Sequence, residues 1–173
     1  MDDDAVFARF VHANSGALFK TAFLLTGSAD NAEELLQDTL ARLYPKWEKV
    51  AAADNPPTYV RPALANAFVS QHRRPRSRNV SLSQLREAVD DRDPYEAIAD
   101  RDVLWQLLRA LSTRQRTAVV LRYFHDLPDA EIAAVLGCRV ATARSLISRG
   151  MAVMRKGSAG MGETIALGRE GCS

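Results

Sequence analysis

Asp129–Arg149, DAEIAAVLGCRVATARSLISR, decides the fold. It reads as two short helices joined at Gly137. Ala133 stands four residues before that glycine, where two steeply crossing helices leave room only for a methyl group. Ile132 and Leu136 before the turn, and Val140, Leu146 and Ile147 after it, supply the small core that clamps the pair. Gly137 suits the left-handed cap that ends the first helix. The spacing predicts a helix-turn-helix, and with it contact to DNA.

Winding the second helix at about 100° per residue from Val140 puts Ala143, Leu146, Ile147, Gly150, Val153 and Met154 on one side. Ala141, Arg144, Ser145, Ser148, Arg149, Ala152 and Arg155 fall on the other. This second face carries three arginines, no acid, and small residues between them. Such a helix can approach base edges while its guanidinium groups reach guanine or phosphate. An amphipathic helix with a solvated basic face is the plainer alternative, and the Ala133–Gly137 spacing favours DNA over it. Two positions depart from the pattern. Ala143 stands where such motifs usually carry a larger aliphatic residue, and Gly150 costs about 1 kcal/mol relative to alanine inside a helix.

With 173 residues, 47% of them hydrophobic, the chain has room for one medium domain or two small ones with real cores. No apolar run approaches the roughly 18 to 20 residues that span a bilayer. The start, MDDDAVFARF, has acids where a secretion signal has bases. Both features predict a soluble, cytoplasmic protein with no membrane insertion. The two cysteines, Cys138 and Cys172, are too few for a disulfide framework, and neither belongs to a zinc-binding pattern. His12, His72 and His125 are scattered without a catalytic serine, cysteine or metal constellation. No catalytic residue, metal site or cofactor is therefore expected, and a helical enzyme is disfavoured.

The net charge of +2 hides a segregation along the chain. Residues 1–50 hold eight acids against five bases, whereas residues 61–86 hold six arginines and no acid. Residues 87–102 then hold seven acids against two bases, and residues 103–156 nine bases against three acids. Two basic blocks separated by an acidic one fit a chain that touches nucleic acid in two places.

The expected fold is all-α, with two small helical domains joined by a flexible linker. Helices are predicted near 3–13, 16–26, 29–49 and 56–73, punctuated by Ser15-Gly16, Gly27-Ser28 and Asp54-Asn55-Pro56-Pro57. A first domain over 1–73 is followed by a linker over 74–93, where periodicity gives way to proline, serine and charge. The second domain covers 94–156, with helices near 95–110, 113–124, 128–136 and 140–155. Its first helix is expected to bury Val103, Leu104, Leu107, Leu108 and Leu111. A glycine-rich tail, expected to be disordered or loosely docked, completes the chain over 157–173.

Two helices of the first domain carry uneven faces. Over 29–49, Ala32, Leu36, Leu40, Leu43 and Trp47 form the expected buried stripe, opposite an acidic and amide strip of Glu34, Gln37, Asp38 and Ala41. That strip suits docking against a basic helix of a partner. Over 56–73, Val60, Leu64, Ala67, Phe68 and Gln71 are expected to point inward, with Tyr59, Asn66, Ser70 and Arg73 lined up outward. An aromatic, an amide, a hydroxyl and an arginine in one row can stack on unpaired bases and hydrogen-bond to them. Pro62 should kink this helix or mark its first turn.

With these residues in view, the chain resembles the extracytoplasmic-function branch of the sigma-70 family of RNA polymerase subunits, over about residues 5–156. The resemblance rests on Gly27-Ser28-Ala29-Asp30-Asn31-Ala32-Glu33-Glu34-Leu35-Leu36-Gln37-Asp38 with Trp47 and on the helix of Tyr59-Val60-Arg61 and Asn66. It rests also on Leu111-Ser112-Thr113-Arg114-Gln115-Arg116 followed by Leu121-Arg122-Tyr123 and the helix-turn-helix. It implies a non-enzymatic subunit that directs core polymerase to promoters, with domains equivalent to sigma-70 regions 2 and 4. The strip of Glu34, Gln37, Asp38 and Ala41 would bind the clamp helices of the largest polymerase subunit. Asn55, in the 50–57 loop, with Tyr59, Arg61, Asn66, Ser70 and Arg73, would hold the unwound minus-10 element. Arg139, Thr142, Arg144, Ser145, Ser148 and Arg149 would read the duplex minus-35 element, with that domain near the flap of the other large subunit. Members of this branch are commonly held inactive by an anti-sigma factor, a further partner the resemblance implies. Pro62, Pro128 in place of a hydroxyl cap, Ala141, Ala143 and Gly150 depart from the usual pattern. The alternative is a stand-alone helix-turn-helix repressor or activator, which would need a dimer to read two half-sites; no dimerising coiled coil is evident.

Overall fold

The computed structural model describes residues 3–73 and 103–170, with side chains over 4–73 and 103–160. Every regular element among the described residues is helical. The order is α1 (Asp3–Thr26), α2 (Ala29–Leu43), a 3₁₀ turn (Tyr44–Lys46), α3 (Trp47–Ala51), α4 (Pro56–Arg73), α5 (103–109), α6 (Thr113–Tyr123), α7 (Asp129–Leu136) and α8 (Val140–Glu170). There are two compact units, one built on α1 to α4 and the other on α5, α6 and α8, with α7 joined to α8 through the turn at Gly137. The linker expected over 74–93 and the start of the helix expected over 95–110 lie outside the described residues.

In the first unit, α1 runs unbroken for 24 residues where the sequence predicts a break at Ser15-Gly16. One interior glycine weakens a helix by about 1 kcal/mol without ending it, and the helical spacing of apolar residues continues across it to the buried Leu18, Ala22 and Leu25. Asn14 Nδ2 donates to the Phe10 carbonyl at 2.9 Å, so this side chain serves the helix instead of starting a turn. Helix α2 begins at Ser28, whose Oγ accepts from the Asn31 amide at 3.4 Å. The helix expected to reach residue 49 is interrupted at Tyr44–Lys46, because Pro45 has no amide to donate. Trp47 restarts it in α3 and is buried against Phe7 and Phe10, with ring centroids 5.0 and 4.7 Å away. Helix α4 matches the predicted bounds, and Pro62 lies inside it instead of in its first turn.

In the second unit, Ser112 and Gln115 form a reciprocal capping box at the start of α6. The Gln115 amide donates to Ser112 Oγ at 3.2 Å, and the Ser112 amide donates to Gln115 Oε1 at 3.1 Å. Arg116 turns back to close the end of α5, donating to the carbonyls of Leu108, Arg109 and Leu111 at 2.9 to 3.4 Å. Its guanidinium also lies over the Trp105 ring, 5.0 Å from the centroid. Burial pulls its pKa below the ordinary arginine value through lost solvation. Leu108 and Leu111 are buried as expected, but Val103 is exposed. Five residues on a helix turn through about 140°, which carries Val103 away from the face that Leu108 buries.

Helix α8 continues to Glu170, past residue 155, where the sequence predicts it to end in an irregular tail. Two glycines seven residues apart explain part of the difference. A Cβ on Gly150 would sit 2.8 Å from Val119 Cγ2 of α6, and one on Gly157 would sit 2.8 Å from Leu107 Cδ2 of α5. These glycines let α8 lie close to its neighbours, so the packing of the helix offsets their poor intrinsic propensity. Val119 is itself buried and β-branched and cannot swing aside. Gly150→Val is therefore expected to lower the unfolding free energy of the second unit by about 2 to 3 kcal/mol. Urea denaturation followed by circular dichroism checks this.

Candidate functional site

The buried side of α2 is Ala32, Leu35, Leu36, Thr39 and Leu43. Leu35 and Thr39 join the predicted stripe, Thr39 because its hydroxyl is satisfied by the Leu35 carbonyl at 2.7 Å; Leu40 is only half-buried. This leaves Glu34, Gln37, Asp38 and Ala41 exposed, as the wheel predicts. Residues spaced by three and four along a helix share one face, so the four form a single stripe. Gln37 Nε2 donates to Glu33 Oε1 at 3.1 Å, which ties a further carboxylate to its edge. Glu34 and Asp38 pair with no base among the described residues.

Helix α4 buries Val60, Leu64, Ala65, Ala67, Phe68 and Val69, while Gln71 is half-buried. Tyr59 (52% exposed), Asn66, Ser70 and Arg73 are exposed on its other side, and Ser70 Oγ donates to Asn66 Oδ1 at 3.4 Å. Asn55, also exposed, precedes the helix and accepts the Thr58 amide at its carbonyl at 3.0 Å. Arg61 does not join this row: it is half-buried, with Nε out of reach of solvent and without a hydrogen bond. Two residues after Tyr59, it points about 200° around the helix. Beside the row, Asn66 and Ser70 line an open cleft of about 190 Å³ with Thr39 and Arg42 of α2. The sequence reading misses Arg42. Its place one residue beyond the acidic strip is the signal that it flanks α2 on the α4 side.

The helix-turn-helix is built on Gly137 at φ +60°. The Cys138 amide donates to the Ala133 carbonyl at 3.0 Å and the Gly137 amide to the Ala134 carbonyl at 3.2 Å, the bond pair of a Schellman cap. Ile132, Ala133, Leu136, Ala143 and Ile147 are buried beneath it. Ala143 is fully buried, so a larger side chain there would have to be accommodated inside the core. Leu146 is half-buried, and Val140, expected in the core, is exposed. A helical Cβ tilts toward the amino terminus, and Val140, the first residue of α8, leans past the helix start.

Arg139, Thr142, Arg144, Ser145, Ser148 and Arg149 are all exposed. Arg144 Nε donates to Asp129 Oδ2 of α7 at 2.8 Å, an ion pair the sequence reading does not foresee. Arg139 and Arg149 have no acidic partner among the described residues. The result is a cationic face with short hydroxyl side chains between its guanidinium groups, a surface suited to a nucleic-acid groove. No group of His, Cys, Asp and Glu that could hold a metal ion occurs among the described residues. No helix there is long and apolar enough to cross a membrane.

Comparison with known proteins matches both units. Residues 10–79 match the family model for Sigma-70 region 2, and residues 101–154 match that for Sigma-70, region 4. The RNA polymerase sigma-E factor of Streptomyces coelicolor is 33% identical over 150 residues, covering 87% of this chain and 84% of that one. The ECF RNA polymerase sigma factor SigL of Mycobacterium tuberculosis is 26% identical over 146 residues, covering 82% of each chain. Among solved structures, the sigma factor RpoE of Bartonella quintana, crystallised with the anti-sigma factor NepR, shares the fold with a TM-score of 0.62 at 24% identity. That match covers 88% of this chain and 96% of the other. A chain whose described elements are all helical, with an exposed acidic stripe and a helix-turn-helix, and which these proteins match along most of its length, belongs to the extracytoplasmic-function branch of the sigma-70 family and is an RNA polymerase sigma factor.

Proposed function

We propose that this sigma factor divides its work among three surfaces. The exposed stripe of Glu34, Gln37, Asp38 and Ala41 docks on a basic helical surface of core polymerase, the clamp helices of the largest subunit. The row of Tyr59, Asn66, Ser70 and Arg73, with Asn55 ahead of it, holds the unpaired minus-10 strand. Arg139, Thr142, Arg144, Ser145, Ser148 and Arg149 read the minus-35 duplex, with the second unit beside the flap of the other large subunit. Arg61 has a supporting role, because its half-buried position keeps it from the row. The chain works in the cytoplasm, where core polymerase and promoter DNA meet. The observation that carries this reading is the exposure of each surface on the side of its helix opposite a buried apolar stripe.

Magnitudes show why the polymerase is indispensable. Each base-pair step of stacking lost on melting costs about 1.4 kcal/mol, and one aromatic stacked on a base returns about 1 to 3 kcal/mol. Tyr59 is the sole exposed aromatic of the α4 row, so it offsets roughly one step of an opened bubble. The row holds a strand that the polymerase has helped to open.

Tyr59→Ala with Asn66→Ala tests this directly. Open-complex formation on a duplex promoter, followed by permanganate reactivity of unpaired thymines, is expected to fall by about 10- to 100-fold. A template already mismatched across the minus-10 element should restore most of the rate. An equal loss on both templates would mean that the row acts elsewhere than on melted DNA.

A further inference from the structure

Arg144 is the one arginine of the outward α8 face with an acidic partner among the described residues. Its Nε donates to Asp129 Oδ2 at 2.8 Å, from the second turn of α8 to the first residue of α7. The two ends of this pair differ in setting: the Asp129 side chain is 25% exposed and that of Arg144 is 69% exposed. The carboxylate sits at the amino terminus of α7, where the helix dipole favours it, and is the anchored member. It occupies only the Nε edge of the guanidinium. Nη1 and Nη2 have no hydrogen bond among the described residues and stay in solvent.

A guanidinium is a planar fork, so a bond at Nε fixes the plane and leaves the Nη1/Nη2 end as a preset pair of donors. That end matches the O6 and N7 acceptors of guanine in the major groove. A phosphate contact needs no such orientation, and an adjacent carboxylate opposes it by repulsion. Arg139 and Arg149, with no acid beside them among the described residues, suit phosphate better. We propose that Asp129 is a positioning residue for base recognition: it sets Arg144 for an end-on, two-bond contact with one guanine of the minus-35 duplex, without itself touching DNA. The proposal rests on the reading of the α8 face as the minus-35 reader.

The test uses the full chain with core polymerase on a promoter from which it initiates, with each minus-35 base pair changed in turn. Run-off transcription is compared for the wild type, Asp129→Ala, Arg144→Ala and the double variant. An exposed ion pair contributes little to folding, so Asp129→Ala, which leaves no acceptor for Nε, should fold, and its melting curve is recorded alongside. Asp129→Ala is expected to reduce guanine preference about tenfold at a single position. That position should be the one whose preference Arg144→Ala erases, and the double variant should be no worse than Arg144→Ala alone. Uniform loss on every template would overturn the proposal by making Asp129 merely structural, and uniform gain would overturn it by making Asp129 a competitor of DNA for Arg144. If Arg144→Ala changes preference at one position and Asp129→Ala does not, the positioning role alone falls. If Arg144→Ala changes preference nowhere, the reading of the α8 face falls with it.

Discussion

Glu34→Lys combined with Asp38→Lys is expected to abolish association with core polymerase while the chain stays folded. Both side chains are exposed on α2 and pair with no base among the described residues, so the fold loses no contact when they change. Substitutions at such positions usually alter stability by less than about 0.5 kcal/mol. Against a basic partner surface, however, each reversal both removes an attraction and adds a repulsion, and like charges set together at an interface cost several kcal/mol. The affinity should fall by at least about 100-fold, read by fluorescence anisotropy of the labelled chain titrated with core enzyme. Raising the salt concentration should weaken the wild-type complex as well, because exposed charges are screened within roughly 8 Å at physiological ionic strength. Unchanged affinity in the double variant would remove the α2 stripe from the polymerase interface.

Arg144→Ala with Arg149→Ala is expected to give the opposite separation, with polymerase association intact and promoter selection lost. Both positions are exposed, and alanine favours a helix, so α8 should persist. Each arginine lost from a base or phosphate contact removes about 1 to 3 kcal/mol of DNA binding, and the pair should lower initiation from a promoter with its native minus-35 element by about 100-fold. The two arginines should fail differently. Loss of a phosphate contact weakens binding to all sequences and reduces the salt slope by about one, whereas loss of a base contact flattens the preference among sequences. Run-off transcription from native and scrambled minus-35 templates, at several salt concentrations, separates them. If both double variants lost polymerase binding together, the three-surface division would be wrong.

Much of this architecture can be read from the residues, and the exceptions share a physical cause. The helix-turn-helix is legible because Gly137 has a backbone requirement that few residues meet, and the residues packed around it follow helical spacing. The α2 stripe and the α4 row are legible because a period of 3.6 residues separates buried from exposed sides without knowledge of partners. What the period cannot supply is what lies opposite. Ala143 and Gly150 look like weaknesses in isolation, yet one is fully buried and the other faces Val119 at a distance that excludes a methyl group. Ser15-Gly16 looks like a break because local propensity favours one there, while packing on either side of it, of Phe7 and Phe10 against Trp47 and of the buried Leu18, Ala22 and Leu25, holds α1 as one helix. Val103 and Val140 are apolar and helical but lie off the packed face or at a helix start, where hydrophobicity alone misleads. Arg61 enters the candidate site through a motif, and its half-buried place, about 200° around α4 from Tyr59, keeps it off the row. The Arg144–Asp129 pair depends on how the turn folds α7 against α8 and leaves no trace in sequence spacing.

Promoter choice is expected to arise only when this chain and core polymerase act together. Its most direct measurement is the mapping of RNA 5′ ends made on genomic DNA of the source organism by core polymerase alone, by core with the chain, and by core with Glu34→Lys/Asp38→Lys. A small set of start sites is expected to appear only with the wild-type chain, each preceded by two shared sequence elements at the minus-10 and minus-35 distances. Start sites identical with and without the chain, or an undiminished set with the double variant, would contradict it.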